Sequence, residues 1–202
     1  MLSSPCFETI RVADRKLQNL NAHELRLNRT RAILWGISRP ISLAEIAPPP
    51  SLSAQIVYKC KLMYDQHGIG QATWEPYTIR PIKSLRHIEA NTLDYSHKYA
   101  DRTALQELLT HCNGADDLLL SRCGLLTDTS YANIALFDGQ LWHTPAQPLL
   151  PGTQRATLLK AGILRPADIR VEDLARFSHI KLINAMLPWE VGPVLTIAQI
   201  KR

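Results

Sequence analysis

The stretch from Tyr131 to His143, YANIALFDGQLWH, restricts the fold more than any other. Two short apolar runs, 131–137 and 140–143, flank Asp138 and Gly139. An Asp-Gly pair is the sequence signature of a tight turn with positive φ, so the two runs are expected to be antiparallel strands of one hairpin. A second turn of this kind lies in DQHGIG (65–70), between apolar segments 55–64 and 72–79, which are read as two further strands. A chain with two such hairpins must build at least part of its core on sheet.

Helices interleave with these strands. Segment 7–12, FETIRV, alternates and suits a strand, whereas 23–35 sets Leu27, Arg31 and Leu34 on one turn-spaced row with Gly36 as a stop. A short helix is expected at 41–46, closed by Pro48, Pro49 and Pro50. In 103–111, Leu105, Leu108 and Leu109 fall at helical spacing before Asn113 and Gly114. An apolar strand is expected at 117–123, a helix from Gly152 through Lys160, a helix at 172–177 and a buried strand at 180–187. Segment 81–94 has no clear period and reads as a linker. The fold class is therefore α/β or α+β, with a small lobe over 1–82, a linker over 83–94 and a larger lobe over 95–202.

Composition narrows the function. The 202 residues are 46% hydrophobic and 20% charged, ordinary for a globular protein. The net charge of +5 is scattered among acids with no basic block, which argues against nucleic acid and suits a basic cleft for an anionic small molecule. The four cysteines form no CxxC pair and no cluster with histidine at metal spacing, so no metal site is expected. The N-terminus lacks the pattern of a signal peptide, and no apolar run approaches the roughly 18 residues of a membrane span, so no membrane partner and a cytoplasmic location are expected.

Four segments carry groups suited to chemistry. In DYSHKYADR, Lys98 precedes a helix, and Arg102 one turn on is a cation able to favour its neutral amine. In GLLTDTSYANIALF, Asp128 follows an apolar strand, where a carboxylate can hold a protonated ring nitrogen. In PLLPGTQR, Thr153 opens a helix whose first amides and hydroxyl suit a phosphate. In NAHELRL, Arg26 can grip a phosphate through two donors. Taken singly, each has an ordinary counterpart: a solvated lysine, a turn aspartate, a helix cap, a surface arginine.

Their order and spacing resemble the class IV aminotransferase family, the two-lobed pyridoxal-5'-phosphate (PLP) enzymes of fold type IV, over about residues 7–194. CFETIRV looks like the family's early strand, and HELRL like its His-x-x-Arg-Leu segment, which implies that Arg26 binds the cofactor phosphate. KYADR is similar to the lysine segment of the aminodeoxychorismate lyase branch, implying Lys98 as Schiff-base lysine and general acid/base. GLLTDTSYANIALF matches the segment that supplies the pyridine-binding acid, placing Asp128 and Asn133. PLLPGTQR looks like the phosphate clamp, placing Thr153 and Gln154, and LINAMLP resembles the lyase segment near the phosphate, placing Asn184, Ala185 and Met186.

The resemblance implies a PLP-dependent enzyme, with an aminodeoxychorismate lyase somewhat ahead of an aminotransferase of the branched-chain or D-amino-acid type. A PLP-binding protein without turnover is the third reading. Substrate carboxylates need cations, for which Arg11, Lys61, Arg80 and Arg102 are the candidates, and a homodimer is expected. Three departures stand out. Asp128 replaces the family's longer Glu, Gln154 replaces a threonine, and the strand and hairpin that usually precede the CFETIRV segment are expected to be missing.

Overall fold

The computed structural model describes residues 4–201, which divide into two compact units. One holds the chain up to Ile79 together with His97–Asp101; the other holds Arg80–Ser96 and the chain from Arg102 onward. The chain thus leaves the first unit, returns for one short loop, and leaves again.

The first unit is an antiparallel sheet covered by one helix. Strand β1 (Cys6–Ala13) pairs with the short β2 (Lys16–Leu17) and with β3 (Tyr58–Tyr64), and β3 pairs with β4 (Ile69–Pro76), giving the order β2-β1-β3-β4. Strict alternation in β1 and β3 buries Cys6, Glu8, Ile10 and Val12 beside Tyr58, Cys60, Leu62 and Tyr64. Helix α1 (Leu20–Trp35) lays Leu27 on that face and ends at Gly36, whose φ of 67° is a left-handed stop. The expected helix at 41–46 does not form: the segment is a turn whose Leu43 plugs the same core.

The second unit is a mixed sheet. Strands β5 (Leu85–Glu89), β6 (Asp117–Arg122), β7 (Leu125–Thr129), β8 (Asn133–Phe137), β9 (Trp142–Pro145), β10 (Leu164–Ala167), β11 (His179–Ile183), β12 (Val194–Thr196) and β13 (Ile200–Lys201) contribute. Their main order is β10-β9-β8-β7-β6-β5-β13, with β11 pairing both β8 and β12. Helices α2 (Thr103–Leu109) and α3 (Thr153–Lys160) complete the unit. The Leu-, Ile- and Ala-rich strands are buried, with Leu119, Leu126, Ile134, Leu136, Ile180 and Leu182 in one cluster.

Two expectations need correction. The segment read as a linker contains β5, which lies in register between β6 and β13 in parallel pairing. Lys98, placed by sequence in a lobe over 95–202, belongs with the first unit, because its loop bonds to the start of β1. In addition, the helix expected at 172–177 is a 3-10 turn over Val171–Arg176, and the strand expected at 180–187 ends at Ile183. Among the described residues no helix is long and apolar enough to cross a membrane.

Candidate active site

In the first unit the decisive residue is Glu8. Period-2 alternation turns it inward with Cys6 and Ile10, so its carboxylate is removed from water and must be paired. Helix α1 supplies the partners one turn apart. Arg26 Nε donates to Glu8 Oε1 at 2.9 Å, its Nη2 donates to Oε2, and His23 Nδ1 lies 2.6 Å from Oε2. An ionised carboxylate only accepts, so His23 Nδ1 carries the proton. Burial alone would push the Glu8 carboxyl up; the Arg26 charge and the hydrogen bonds from His23 and Arg26 outweigh it and hold the group at about 2. Burial pushes the His23 imidazole down, against the pull of Glu8, which keeps the ring neutral near pH 7. Arg26 is therefore fixed through two of its donors.

The Lys98 loop is tied to the same strand. Phe7 N donates to Lys98 O at 2.9 Å, Ala100 N donates to Pro5 O at 2.8 Å, and Cys6 bridges to Tyr99. The loop thereby extends the sheet, and the half-buried Lys98 sends its ammonium over the Phe7 ring, 4.7 Å from the centroid. Lys61 Nζ lies over the same ring at 5.1 Å. Arg11, two residues beyond Thr9 on the same outward row, is half-buried beside Lys59 in register.

In the second unit the decisive residue is Asp128 on β7. It stands opposite Asn133 of β8, whose Nδ2 donates to Asp128 Oδ1 at 2.7 Å and to Leu150 O at 2.8 Å. Leu150 N donates to Asp128 Oδ2 at 2.9 Å. Burial pushes the Asp128 carboxyl up to about 7, because the donors around it are chiefly neutral and Arg155 offsets only part of the cost. Leu150 leads into Gly152, where a Cβ would stand 1.9 Å from Asn133 Oδ1, so no other residue fits without moving Asn133. Helix α3 starts there with no side-chain cap, Thr153 buried and Gln154 half-buried.

Arg155, which sequence reading passed over, is also buried. Its Nη2 donates to Pro145 O at 2.7 Å and its Nε to Thr144 Oγ1 at 3.2 Å, which fixes the start of α3 against β9. The final arginine of the clamp-like PLLPGTQR was the available signal. Asn184, Ala185 and Met186 form the turn after β11: Met186 N donates to Asn184 Oδ1 at 2.9 Å, and Asn184 Nδ2 to Tyr131 O at 3.4 Å. Arg102 donates to Ser130 O at 2.6 Å and lies 5.8 Å from the Tyr95 ring. Arg80 lies 5.2 Å from the Tyr131 ring, with Nη2 3.5 Å from the buried Asp117. Asp128, Asn133, Leu150 and Gly152 are thus brought together, with Thr153 next in the chain, while Asn184, Arg80 and Arg102 meet the 130–131 turn that follows β7.

Comparison with known proteins gives the family and the fold. The chain belongs to the class IV aminotransferase family, whose model, amino-transferase class IV, matches residues 69–197. An uncharacterized protein of Haemophilus influenzae is 32% identical over 187 residues, 90% of this chain and 97% of that protein. A crystal structure from Haemophilus somnus 129PT, named as a candidate 4-amino-4-deoxychorismate lyase, superposes with a TM-score of 0.85 at 31% identity, over 92% of this chain and 98% of that one. An aminotransferase from Brucella abortus bound to the co-factor PLP shares the fold, with a TM-score of 0.75 at 16% identity over 97% of this chain and 81% of its own. The fold is that of the fold type IV PLP enzymes, and the family is PLP-dependent.

Proposed function

We propose that this chain is a PLP-dependent lyase acting on 4-amino-4-deoxychorismate or a closely similar amino-bearing carboxylate, with Lys98 as the lysine that carries the cofactor. The observation that carries the reading is Asp128: a buried carboxyl, at about 7, among mostly neutral donors. A protonated ring nitrogen is the cation such a group lacks, and it would draw Asp128 into its ionised form. Each carboxylate oxygen accepts more than one hydrogen bond, so the bonds from Asn133 and Leu150 leave capacity for it. The close approach at Gly152 and the uncapped start of α3 suit the phosphate.

In this reading Thr153, Gln154, the α3 amides and the Asn184-Ala185-Met186 turn are the phosphate-side groups of the second unit; in the first unit Arg26, which Glu8 and His23 orient, is a phosphate ligand by its likeness to the family's His-x-x-Arg-Leu segment. PLP, when bound, supplies an electron sink for the charge left on the amine-bearing carbon. Lys98 would be the residue that holds the cofactor, and its amine would be the group that moves a proton at the amine-bearing carbon of the substrate. Arg11 and Lys61, outward on the β1–β3 face, receive the substrate carboxylate. Arg102 and Arg80 act on the 130–131 turn, and through it on the Asp128 segment.

The lyase is favoured over amino transfer by the likeness to the Haemophilus somnus protein and by the KYADR and NAM segments. The test is consumption of 4-amino-4-deoxychorismate with and without a keto-acid acceptor. Turnover without an acceptor, absent in Lys98→Ala, is expected. Turnover that requires the acceptor would make the chain an aminotransferase, and lysine-bound cofactor with no turnover would leave a binding protein.

A further inference from the structure

A ligand gripped at two points by one protein unit is held well only where the two grips keep a fixed separation. In the first unit the two grips of the proposed reading are Lys98, on the 97–101 loop, and Arg26, on α1. Both refer to β1 through neighbouring residues. Phe7 N donates to Lys98 O at 2.9 Å, and the Glu8 carboxylate takes the Arg26 guanidinium. By themselves, two ties to one strand would let the loop rock against the helix. A third tie runs from loop to helix and closes the triangle: His97 Nδ1 lies 3.4 Å from Thr30 Oγ1.

The sequence explains where this third tie falls. Thr30 is four residues beyond Arg26, so the two side chains rise from one face of α1, a turn apart. Thr30 is 3% exposed, and a buried hydroxyl must find a partner. Branching at Cβ limits the rotamers open to it. Tyr64, the last inward residue of β3, brings its own hydroxyl beside Thr30; burial raises the Tyr64 group, and Thr30 draws it back in part. His97 approaches from the loop, its ring meeting Tyr99 edge to face with centroids 5.8 Å apart, and Tyr99 bridges to Cys6 of β1. The charge on Lys98 is felt at His23, so its amine lies within electrostatic reach of the Glu8–Arg26 cluster.

We infer that Thr30 and His97 form a positioning pair that sets the separation of Lys98 from Arg26, so that a cofactor held at its phosphate by Arg26 presents its aldehyde to the Lys98 amine. The inference rests on Lys98 as the cofactor lysine and Arg26 as a phosphate ligand. Neither member of the pair has to touch the cofactor. Its contribution is effective concentration: once the phosphate end is held, the aldehyde meets Lys98 as an intramolecular partner, and that gain fades when the two holding groups drift apart. The pair therefore matters to PLP, which engages both grips. It does not matter to 5'-deoxypyridoxal, the same aldehyde with a methyl group in place of the phosphate ester, which engages one.

The test measures attachment to Lys98 and needs no turnover. Cofactor-free protein is incubated with PLP or with 5'-deoxypyridoxal over a range of concentrations and fixed with borohydride, and the adduct on the Lys98 peptide is quantified by mass spectrometry. The ratio of the two half-saturating concentrations reports the advantage given by the phosphate. In Thr30→Val, which keeps the shape and removes the hydroxyl, that advantage is expected to fall about tenfold with the 5'-deoxypyridoxal curve unmoved, and Thr30→Ser is expected to keep the wild-type ratio. His97→Ala, at a half-buried position, is expected to match Thr30→Val, and the double variant to fall no further. An undiminished ratio in either single variant would overturn the inference. So would a parallel weakening of both aldehydes, which is what a merely structural role gives. A wild-type adduct away from Lys98, or a wild-type ratio in Arg26→Gln, is a different result and removes the underlying reading.

Discussion

Glu8 and Asp128, one in each unit, are both nearly withdrawn from water, yet they lie on opposite sides of the ordinary carboxylate range, at about 2 and about 7. Burial acts on both in the same direction. The difference is the partner. Glu8 faces a guanidinium and an imidazole N–H, so its negative charge is complete within the protein. Asp128 faces an amide side chain and a backbone N–H, so its negative charge is not. A buried carboxylate that is already paired belongs to the architecture, whereas one lacking a cation is where a positively charged ligand gains most.

The largest expected effect comes from breaking the complete pair. Glu8→Gln leaves the half-buried Arg26 beside a neutral amide and should lower unfolding stability by up to about 3–5 kcal/mol, read from urea titrations. A pH series then separates the two sites by sign. The folded-state value of Glu8 lies below its ordinary value of 4.5, so its contribution of about 3 kcal/mol is present above that pH and disappears as pH falls toward 2. Asp128 lies above its ordinary 3.8, so it favours the folded state at acid pH, and that advantage of up to about 4 kcal/mol fades as pH rises from 4 to 7. Asp128→Asn should flatten the slope between pH 4 and 7 in the cofactor-free protein; an unchanged slope would mean that Asp128 is not raised.

Smaller effects sharpen the contrast. Gly152→Ala must displace Asn133 from Asp128 and should cost about 1–3 kcal/mol, with weaker PLP retention measured by dialysis. Lys98→Ala removes a half-buried side chain while keeping the loop's backbone bonds to β1, and should change stability by about 1 kcal/mol in thermal melts. Loss of cofactor in that variant would then be a loss of chemistry and not of fold.

Much of this was legible in the chain, and the failures have physical causes. The Asp138-Gly139 hairpin, the Gly36 stop and the strand in CFETIRV follow from local rules, and all three form. Strand β7 escaped notice because its turn is Cys123-Gly124, with φ of 50° and 74°, and a cysteine does not advertise a left-handed conformation. Strand β5, LRHIE, mixes charge into a position between two parallel neighbours, so neither alternation nor a continuous apolar run reveals it. Strands β2 and β13 have only two residues each and exist through their partners.

For the site, the sequence pattern picked out Asp128 and Asn133, which the structure joins by a hydrogen bond, and Thr153, which follows Gly152 at the start of α3. It did not single out Glu8 or His23. An acid on the apolar row of an alternating strand, followed by a His-x-x-Arg helix, was a readable sign of a buried ion pair. Lys61 and Phe7 could not be paired in advance, because their meeting depends on the β1–β3 register.

The proposed chemistry depends on Lys98 as the residue that carries the cofactor. Borohydride reduction of the PLP-loaded protein, followed by proteolysis and peptide mass spectrometry, tests it most directly. A phosphopyridoxyl adduct on the peptide containing Lys98 and a visible band that disappears with reduction are expected. An adduct confined to another lysine, or no adduct after saturation with PLP, would contradict it.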